Sequence, residues 1–368
     1  MKKKKKILIY LGHPAHFYIF KNIIPQLKNN GHSVKILIKK KDVLENLLMN
    51  ADYSYHNILK EGRKDSKLSM GWAMIKRTWR MALFCRKYKP DILTGTSVEN
   101  SFVGKLLNIP IINVNEDDAK VVPLYAKLSY PWATEILNPI VCNSDRWNNK
   151  AIKYNSYHEL AYLHPNNFTP DIKIAEKYLN TSSPYFIIRF AKLNAHHDTG
   201  IKGINTEIAQ KLIGILELHG RVYITSEREL EPQFEQYRIK IDPLDMHHVM
   251  AFSDLYIGDS QTMAAEAGVL GIPFVRFNDF VGRIGYLREL EDTYQLGYGI
   301  KTSQVDKLYQ VVEDLINMPN RKIVFEKRRQ KMLSEKIDYA QFLVWFIENY
   351  PESKRIMKED PDYQYNFR

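Results

Sequence analysis

Short apolar runs alternate with stretches of helical spacing along most of this chain, and this rhythm constrains its fold more than any other feature. The apolar run Ile7–Leu11 is followed by apolar residues at helical spacing in 17–27, and a second apolar run follows in 34–38. Parallel strands joined by crossover helices produce such an alternation, because the helices cover the faces of the sheet. The pattern therefore predicts an α/β protein with parallel sheets.

The rhythm is interrupted once and then restarts, which predicts two domains. Residues 162–170 carry two prolines and two asparagines without periodicity, and the alternation resumes at 185–191. We predict domains at 1–163 and 164–340, with a C-terminal helix and tail at 341–368 that packs back on the first domain. The economical arrangement is two Rossmann-type, doubly wound domains that face each other across a ligand cleft.

Composition excludes several classes of protein. The 45% hydrophobic and 26% charged residues are typical of a globular protein, and no apolar run approaches the ~18 residues that a membrane span needs. The opening MKKKKKILIYLG lacks a small-residue cleavage site, so we interpret it as a strand and not as a signal peptide. Two cysteines, Cys85 and Cys142, exclude a disulfide framework and a cysteine-based zinc site. A cytoplasmic protein is expected.

The net charge is divided unevenly between the two halves. Residues 1–163 contain 27 Lys and Arg against 13 Asp and Glu, a net charge of +14, whereas residues 164–368 contain 26 against 29, a net charge of −3. A basic surface attracts nucleic acid, anionic lipid headgroups or phosphorylated small molecules, and charge alone does not choose among them. Because no zinc-finger or RNP motif is present, no nucleic-acid partner is expected.

A long helix is predicted over 68–88. It carries one apolar stripe, which consists of Leu68, Trp72, Ile75, Trp79 and Leu83, and basic residues surround this stripe. Such a stripe is most often the core face of a helix that covers a sheet, and this is the interpretation we favour. The alternative is a helix on an anionic membrane surface or against a lipid-linked acceptor, which would place the protein at the inner face of the plasma membrane.

The segment 257–273 is the most informative for chemistry. It begins at the carboxyl end of a predicted strand and opens a helix, where free backbone N–H groups and the helix dipole suit a diphosphate. Ser260 and Thr262 add hydroxyl groups at this turn, and Glu266 lies one turn into the helix, where it can accept hydrogen bonds from ribose hydroxyls. The alternative is a capped core helix with a surface glutamate.

Three segments together resemble a known group of proteins, namely 153–165, 189–203 and the Ser260 turn. They are similar to an uncharacterised GT-B-like family, a domain of unknown function common in archaea and in bacterial surface-polysaccharide loci. The GT-B superfamily includes glycosyltransferases and UDP-N-acetylglucosamine 2-epimerases. The resemblance implies two facing Rossmann-type domains, a ribose-binding role for Glu266, and a diphosphate held by the turn that consists of Ser260, Gln261, Thr262 and Met263.

The segment 189–198 follows another predicted strand and contains titratable and basic side chains. Arg189 and Lys192 can neutralise a diphosphate and stabilise a leaving nucleotide. His196, His197 and Asp198 lie where α/β proteins place function. Resemblance to the epimerases implies that one histidine of this pair lies near the sugar diphosphate, and His197 is our candidate. No regular HxxxH spacing supports a metal, so no metal site is predicted. A polar loop with hydrogen-bonded histidines is the alternative.

Two histidines follow the first strand. His16 lies just ahead of the first predicted helix, and inverting enzymes of the superfamily place a cleft-facing His or Asp on this loop. We therefore predict His16 as the base that deprotonates an acceptor hydroxyl, with His13 as a substrate contact. A histidine that only caps the helix is the alternative.

Carboxylates follow a later strand of the first domain. Asp117 and Asp118 end the segment 113–118 and are predicted as acid/base or acceptor-binding residues, and Glu99 can join them from the end of an earlier strand. A solvated turn is the alternative. GT-B enzymes generally work without a bound metal, so these carboxylates are not predicted to hold Mg²⁺.

These observations predict a metal-independent glycosyltransferase that moves a sugar from a nucleotide-sugar donor to a surface-polysaccharide or lipid-linked acceptor. No cofactor is expected, and the donor substrate is expected to be UDP-linked. A sugar-nucleotide 2-epimerase that uses Asp117, Asp118 and His197 for proton transfer is the alternative. A non-catalytic binder of nucleic acid or of a membrane surface, driven by the basic first half, is a further alternative.

Overall fold

The computed structural model describes residues 4–39, 43–59, 67–191 and 203–368. It divides into two compact units, of which the first combines residues 1–162 with 337–368 and the second comprises 163–336. Among the described residues, no helix combines the length and the apolar character needed to cross a bilayer. The chain therefore enters the second unit once and returns to the first.

The first unit contains a parallel sheet. Its described strands are ordered 3-2-1-4-5-6-7 across the sheet, with parallel pairing throughout. The strands are rich in Ile, Leu and Val, as expected of strands covered on both faces. They are β1 (Lys6–Leu11), β2 (Ser33–Lys39), β3 (His56–Leu59), β4 (Ile92–Gly95), β5 (Ile111–Val114), β6 (Glu135–Pro139) and β7 (Ala151–Tyr154).

Helices connect these strands and cover the sheet. They are α1 (Pro14–Lys21), α2 (Ile23–Asn29), α3 (Leu44–Asn50), α4 (Lys67–Tyr88), α5 (Val98–Leu107) and α6 (Pro123–Ser129), with a 3₁₀ turn at Asp145–Lys150. The short α7 (Leu160–Leu163) follows β7, where the chain passes into the second unit. The start of α5 shows why a helix forms at its position, since Ser97 accepts a hydrogen bond from the N–H of Asn100 at 3.3 Å. Asn108 ends α5 in the left-handed conformation.

The long helix α4 confirms the predicted helix, but the interpretation of its apolar stripe as a core face is wrong. Trp72, Ile75, Trp79 and Leu83 are exposed. The opposite face is the one that packs, since its residues Met81, Ala82 and Cys85 join a core cluster with Leu8 and Leu93 of the sheet. An ion pair of Arg77 with the buried Glu99 anchors the helix on this side, and the tryptophan face is left outside.

The second unit contains a shorter parallel sheet. Its described strands are ordered β12-β11-β10-β8-β9, again with parallel pairing. They are β8 (Tyr185–Phe190), β9 (Arg221–Ser226), β10 (Leu255–Gly258), β11 (Phe274–Phe277) and β12 (Gly297–Ile300). Two Rossmann-type α/β domains were predicted, and this fold class is confirmed.

The helices of the second unit show the local signals expected of them. Asn205 caps α9 by accepting the N–H of Ile208 at 2.9 Å, and the apolar face of that helix is buried. The helices are α8 (Ile172–Ala175), α9 (Thr206–Glu217), α10 (Met246–Met250), α11 (Gln261–Val269), α12 (Gly285–Arg288), α13 (Val305–Asn317) and α14 (Arg321–Glu335), with a 3₁₀ turn at Pro232–Tyr237 and a π-helical turn at Glu289–Thr293.

The last segment of the chain packs on the first unit. It forms α15 (Tyr339–Asn349), α16 (Glu352–Glu359) and a 3₁₀ turn at Pro361–Phe367. The Lys5 ammonium donates to the carbonyl oxygens of Ile347, Glu348 and Tyr350 at 3.1, 2.8 and 2.6 Å, which places a cation at the C-terminus of α15. Lys354 on α16 forms a 2.5 Å ion pair with the buried Glu135 of β6. These bonds tie the returning segment to the first sheet.

Candidate functional site

The strand orders define where each unit is expected to bind a ligand. In a doubly wound sheet, ligands bind outside the carboxyl ends of the strands at the point where the strand order reverses. In the second unit this point lies between β8 and β10, and in the first unit it lies between β1 and β4. Functional side chains are therefore expected at these two switch points.

The turn after β10 is the first of these places. Ser260 is in an extended conformation ahead of α11, and its hydroxyl oxygen accepts the N–H of Met263 at 3.4 Å. Gln261, Thr262 and Met263 form the first turn and are partly accessible. Because this turn carries no negative charge, the N–H groups of Gln261 and Thr262 and the positive end of the helix dipole suit an anion, whereas the N–H of Met263 already donates to Ser260.

Asp259 lies directly before this turn and was not assigned a role from the sequence. Its carboxylate accepts the N–H of Ala191 at 2.6 Å and that of Ile204 at 3.4 Å. Burial raises the pKa of Asp259 to about 6, although these backbone hydrogen bonds lower it. A Cβ on Gly203 would collide with this carboxylate, so only glycine fits there. Asp259 thus holds the residues on both sides of 192–202 beside the Ser260 turn.

Four candidate residues fall within 192–202 and lie outside the described residues. They are Lys192, His196, His197 and Asp198. Their predicted roles stay predictions.

Arg189 lies near the end of β8, paired with Gly258 in the sheet register, and therefore at the switch point. Its guanidinium forms a 2.5 Å ion pair with Glu227. Its Nε is buried and donates to none of the residues that the structure describes. An anion bound here can accept a hydrogen bond from this Nε, but it competes with Glu227 for the rest of the guanidinium.

Glu266 is buried on α11, and its carboxylate lies 3.0 Å from Nε2 of His247 on α10. The predicted ribose contact stays a prediction, with one added condition. A ribose hydroxyl that donates to Glu266 must share the carboxylate with His247, since His247 is already in contact with it. Sharing is possible because a carboxylate has enough lone pairs to accept from both donors. Since the two residues are 19 positions apart and on different helices, no local pattern in the sequence indicates this pair.

The first unit presents two histidines at its own switch point, after β1. His13 caps α1, with Nδ1 accepting the N–H of Ala15 at 3.2 Å. His16 accepts the N–H of Gly12 at Nδ1, also at 3.2 Å. A neutral imidazole whose Nδ1 accepts a hydrogen bond carries its proton on Nε2. In this tautomer, action of His16 as a base at Nε2 requires the proton to move from Nε2 to Nδ1.

Glu99 lies after β4, at the other side of the same switch point. Its carboxylate accepts hydrogen bonds from Nε of Arg77 at 2.5 Å and from the Ser97 hydroxyl at 2.7 Å. Burial raises the pKa of Glu99, but the Arg77 charge and the Ser97 hydroxyl outweigh it, so that the pKa is lowered. Glu99 is therefore held ionised and connects α5 to α4 through Arg77. An ionised carboxylate of this kind does not suit the role of a proton donor.

The carboxylates that follow β5 differ from one another in environment. Asp118 accepts the N–H of Asn143 at 2.8 Å. Asp117 is half-buried, and its pKa is raised to about 7 by burial and by the charges of Glu116 and Asp118, against a lowering by His158. A carboxyl with this pKa exchanges protons near neutral pH, as an acid/base group must.

Glu116 and His158 complete this cluster and were not singled out from the sequence. Nδ1 of His158 lies 3.3 Å from Oε1 of Glu116, and the backbone N–H of His158 donates to Oε2 at 2.9 Å. The imidazole stacks on Tyr339, and its Nε2 is buried without a hydrogen-bond partner among the described residues. His158 belongs to the segment 153–165, one of the three that carry the family resemblance. Its place in that segment was the one sequence feature that could have indicated a role for it.

Among residues 4–39, 43–59, 67–191 and 203–368, no group of three or more His, Cys, Asp and Glu side chains is placed to hold a metal ion.

A protein-family model matches nearly the whole chain. Residues 5–352 match the model of a family described as a protein of unknown function, DUF354. The chain belongs to this family. No protein with a curated description matches its sequence significantly. The predicted resemblance to a domain of unknown function related to GT-B proteins is thereby confirmed.

Solved structures similar to this DUF354 member share its fold at low sequence identity. UDP-GlcNAc 2-epimerase from Neisseria meningitidis bound to UDP-GlcNAc is 15% identical with a TM-score of 0.63, covering 93% of this chain and 99% of its own. The S. aureus MnaA–UDP structure is 14% identical with a TM-score of 0.66, covering 95% and 97%. The spinosyn rhamnosyltransferase SpnG complexed with thymidine diphosphate is 14% identical with a TM-score of 0.61, covering 94% and 100%.

Proposed function

We propose that this protein is a metal-independent glycosyltransferase that uses a nucleotide-sugar donor, UDP-linked in our preferred version. The acceptor is a surface polysaccharide or a lipid-linked glycan. The observation that carries the proposal is the uncharged first turn of α11 at the β8/β10 switch point, with Asp259 joining it to the chain on both sides of 192–202. Structures of similar fold contain UDP-GlcNAc, UDP or thymidine diphosphate, which supports a nucleoside diphosphate at this place.

The second unit is proposed to bind the donor. The N–H groups of Gln261 and Thr262 take the diphosphate, and that of Met263 joins them by exchanging the Ser260 hydroxyl for a phosphate oxygen. Arg189 neutralises part of the charge as the nucleotide leaves. Arg189 exchanges Glu227 for the diphosphate, a swap that is favourable because a diphosphate carries more negative charge than one carboxylate. With these groups supplied by the protein, no divalent metal is required.

The first unit is proposed to supply the acid/base chemistry. Asp117, with a pKa of about 7, is deprotonated in part of the molecules at neutral pH and can accept the proton of an acceptor hydroxyl. His16 is proposed to contact the substrate. Of the two candidate bases, His16 and Asp117, we prefer Asp117, because Nδ1 of His16 accepts the N–H of Gly12 and the neutral imidazole then carries its proton on Nε2.

An epimerase is the second candidate, because a carboxyl with a pKa near 7 also suits removal of a sugar ring proton and because similar structures include UDP-GlcNAc 2-epimerases.

The transferase and the epimerase differ in the fate of that sugar ring proton. When protein and donor are incubated in D₂O without acceptor, we expect no deuterium in the recovered sugar, since a transferase leaves the ring C–H bonds intact. With acceptor, we expect nucleoside diphosphate and a glycosylated product. Deuterium at C2 together with a new epimer would establish the epimerase instead.

Nucleotide binding tests the donor half of the proposal. Glu266→Gln keeps the volume of the side chain but removes its charge, so UDP should bind roughly 10- to 150-fold more weakly, as expected for the loss of a charge-assisted hydrogen bond of about 1.5–3 kcal/mol. Isothermal titration calorimetry measures this change. Glu326→Gln, at an exposed carboxylate of α14 in the same unit, is the matched control and should bind UDP as the wild type does. Equal affinity of Glu266→Gln and wild type would remove Glu266 from the ribose site.

A further inference from the structure

Helix α4 turns an apolar stripe to the solvent. The exposed fractions are 72% for Trp72, 56% for Ile75, 62% for Trp79 and 44% for Leu83. At 100° per residue, these four positions fall within one face of the helix. Isolated exposed apolar residues are common on protein surfaces, but a continuous stripe with two tryptophans marks a surface that meets an apolar partner.

The other face of α4 is held firmly by the first unit, so the stripe is not a consequence of a loose helix. Met81 and Cys85 are buried in the core. Arg77 pairs with the buried Glu99, and the Arg80 guanidinium donates to the carbonyl oxygen of Ile58 at 2.9 Å. Because these contacts set the rotation of the helix about its axis, the stripe cannot turn inward without breaking them.

The charges beside the stripe identify the kind of partner. The sequence of α4 contains six Lys and Arg and no Asp or Glu. Arg77 and Arg80 point to groups of the domain, whereas Lys76, Arg86 and Lys87 lie at helical spacing next to the stripe, and Arg86 and Lys87 are exposed. A tryptophan-containing apolar stripe bordered by cations is typical of a helix that lies in the interface of an anionic membrane.

We infer that α4 docks this protein on the surface of a membrane that contains anionic lipids, with Trp72 and Trp79 inserted at the level of the headgroups. The helix lies parallel to the bilayer, and its cations contact lipid phosphates. A second copy of the chain is a poorer partner for the stripe, because symmetric pairing of two α4 helices brings like charges together. The inference does not rest on the proposed sugar transfer, and its test requires no substrate.

Vesicle sedimentation with the full chain tests the inference. The wild type should bind vesicles made of equal parts of phosphatidylglycerol and phosphatidylcholine, and should bind phosphatidylcholine vesicles at least tenfold more weakly, because the cations contribute only with the anionic lipid. Trp72→Ala with Trp79→Ala should reduce binding to the anionic vesicles on the order of a hundredfold, about tenfold for each tryptophan that no longer leaves water. Trp132→Ala, at a half-exposed tryptophan of the same unit, is the matched control and should bind as the wild type does.

A second variant separates charge from apolar contact. Arg86→Glu with Lys87→Glu should weaken binding to the anionic vesicles at least tenfold and leave the weak binding to phosphatidylcholine unchanged. All of these positions are exposed, so circular dichroism should show a folded protein in each case. Wild-type protein that fails to bind anionic vesicles would overturn the inference. So would a concentration-dependent dimer, seen by analytical ultracentrifugation, that the tryptophan variant dissociates.

Discussion

Asp117→Asn is expected to lower the turnover number kcat by a factor of about 10²–10⁴, the usual contribution of a general acid/base group, while the folded protein becomes more stable at pH 8. The two effects share one cause. Burial and the charges of Glu116 and Asp118 raise the pKa of Asp117 from 3.8 to about 7, so the ionised side chain that the reaction requires is costly to the fold. Asparagine removes both the reactivity and the cost.

The sign of the pH dependence follows from the direction of this shift. A carboxyl whose pKa is higher in the folded than in the unfolded state contributes stability that is fully present below about pH 4 and is lost as the pH rises through about 7. One pKa unit corresponds to about 1.4 kcal/mol. Counting half of the shift, because Asp117 keeps some contact with solvent, the variant should gain about 2 kcal/mol over the wild type at pH 8 and nothing at pH 4.

Urea unfolding at the two pH values measures the stability effect, and release of nucleoside diphosphate measures the activity. Asp118→Asn is the matched variant for the unfolding experiment, since an asparagine carbonyl oxygen can still accept the N–H of Asn143. The Asp118 charge is the smallest of the causes that raise the pKa of Asp117, so this variant should gain much less stability at pH 8 than Asp117→Asn. If Asp117→Asn and the wild type depend on pH in the same way, Asp117 does not titrate near neutrality and the acid/base assignment fails.

The fold class could be predicted from the sequence because parallel strands in the interior are short, apolar and separated by helices. The runs that became β1, β2, β8 and β10 show this directly. The strand β3 (His56–Leu59) was missed because its sequence HNIL has only two apolar residues. The order of strands in each sheet was beyond reach as well, since it depends on pairing between segments far apart in the chain. The positions of the two switch points follow only from that order.

The rotation of α4 shows a limit of periodicity arguments. The helix has two faces with apolar residues, one with Trp72 and Trp79 and one with Met81 and Cys85. Hydrophobicity favours burial of the tryptophan face. The structure buries the other face, where Met81 and Cys85 join the core and where Arg77 forms an ion pair with Glu99. The contact between Arg77 and Glu99 joins residues 22 positions apart. A search for hydrophobic periodicity within the helix does not detect such a long-range contact.

The candidate site was predictable to the level of the residues that follow strands, but their partners were not. Ser260, Arg189 and Asp117 all lie at or after the carboxyl ends of strands, where parallel sheets place function. Whether each is free to act depends on long-range contacts. Glu227 neutralises Arg189, and His247 occupies Glu266. Asp259, which links β10 to the ends of another segment, gave no local signal except its position before the Ser260 turn.

A buried ion pair between Arg276 and Glu291 is linked by hydrogen bonds to Asp259, the residue before the Ser260 turn. The fully buried Arg276 of β11 donates to Oε1 of Glu291 from Nε and Nη2, at 2.9 and 2.7 Å. Its Nη1 donates to Asn278 at 3.3 Å, and the Asn278 amide donates to the carbonyl oxygen of Asp259 at 3.0 Å. Burial raises the pKa of Glu291, and the Arg276 charge offsets this only in part. The pair is therefore costly to assemble, yet each charge depends on the other.

Glu291→Gln is accordingly expected to lower the free energy of unfolding by about 3–5 kcal/mol, because it leaves the Arg276 charge buried without a counter-ion. Urea denaturation at neutral pH measures the loss. Arg288→Gln, which breaks the exposed Arg288–Asp292 pair at 3.7 Å, is the matched control and should cost about 0.3–0.5 kcal/mol. Arg276→Met combined with Glu291→Leu should recover most of the stability, since no unpaired charge remains. If Glu291→Gln loses less than about 1 kcal/mol, water or another group already compensates Arg276, and the pair does not hold the turn. If instead the double variant is stable but binds UDP poorly, the pair is kept for the geometry that Arg276 and Asn278 impose on Asp259, and its role is to position the turn.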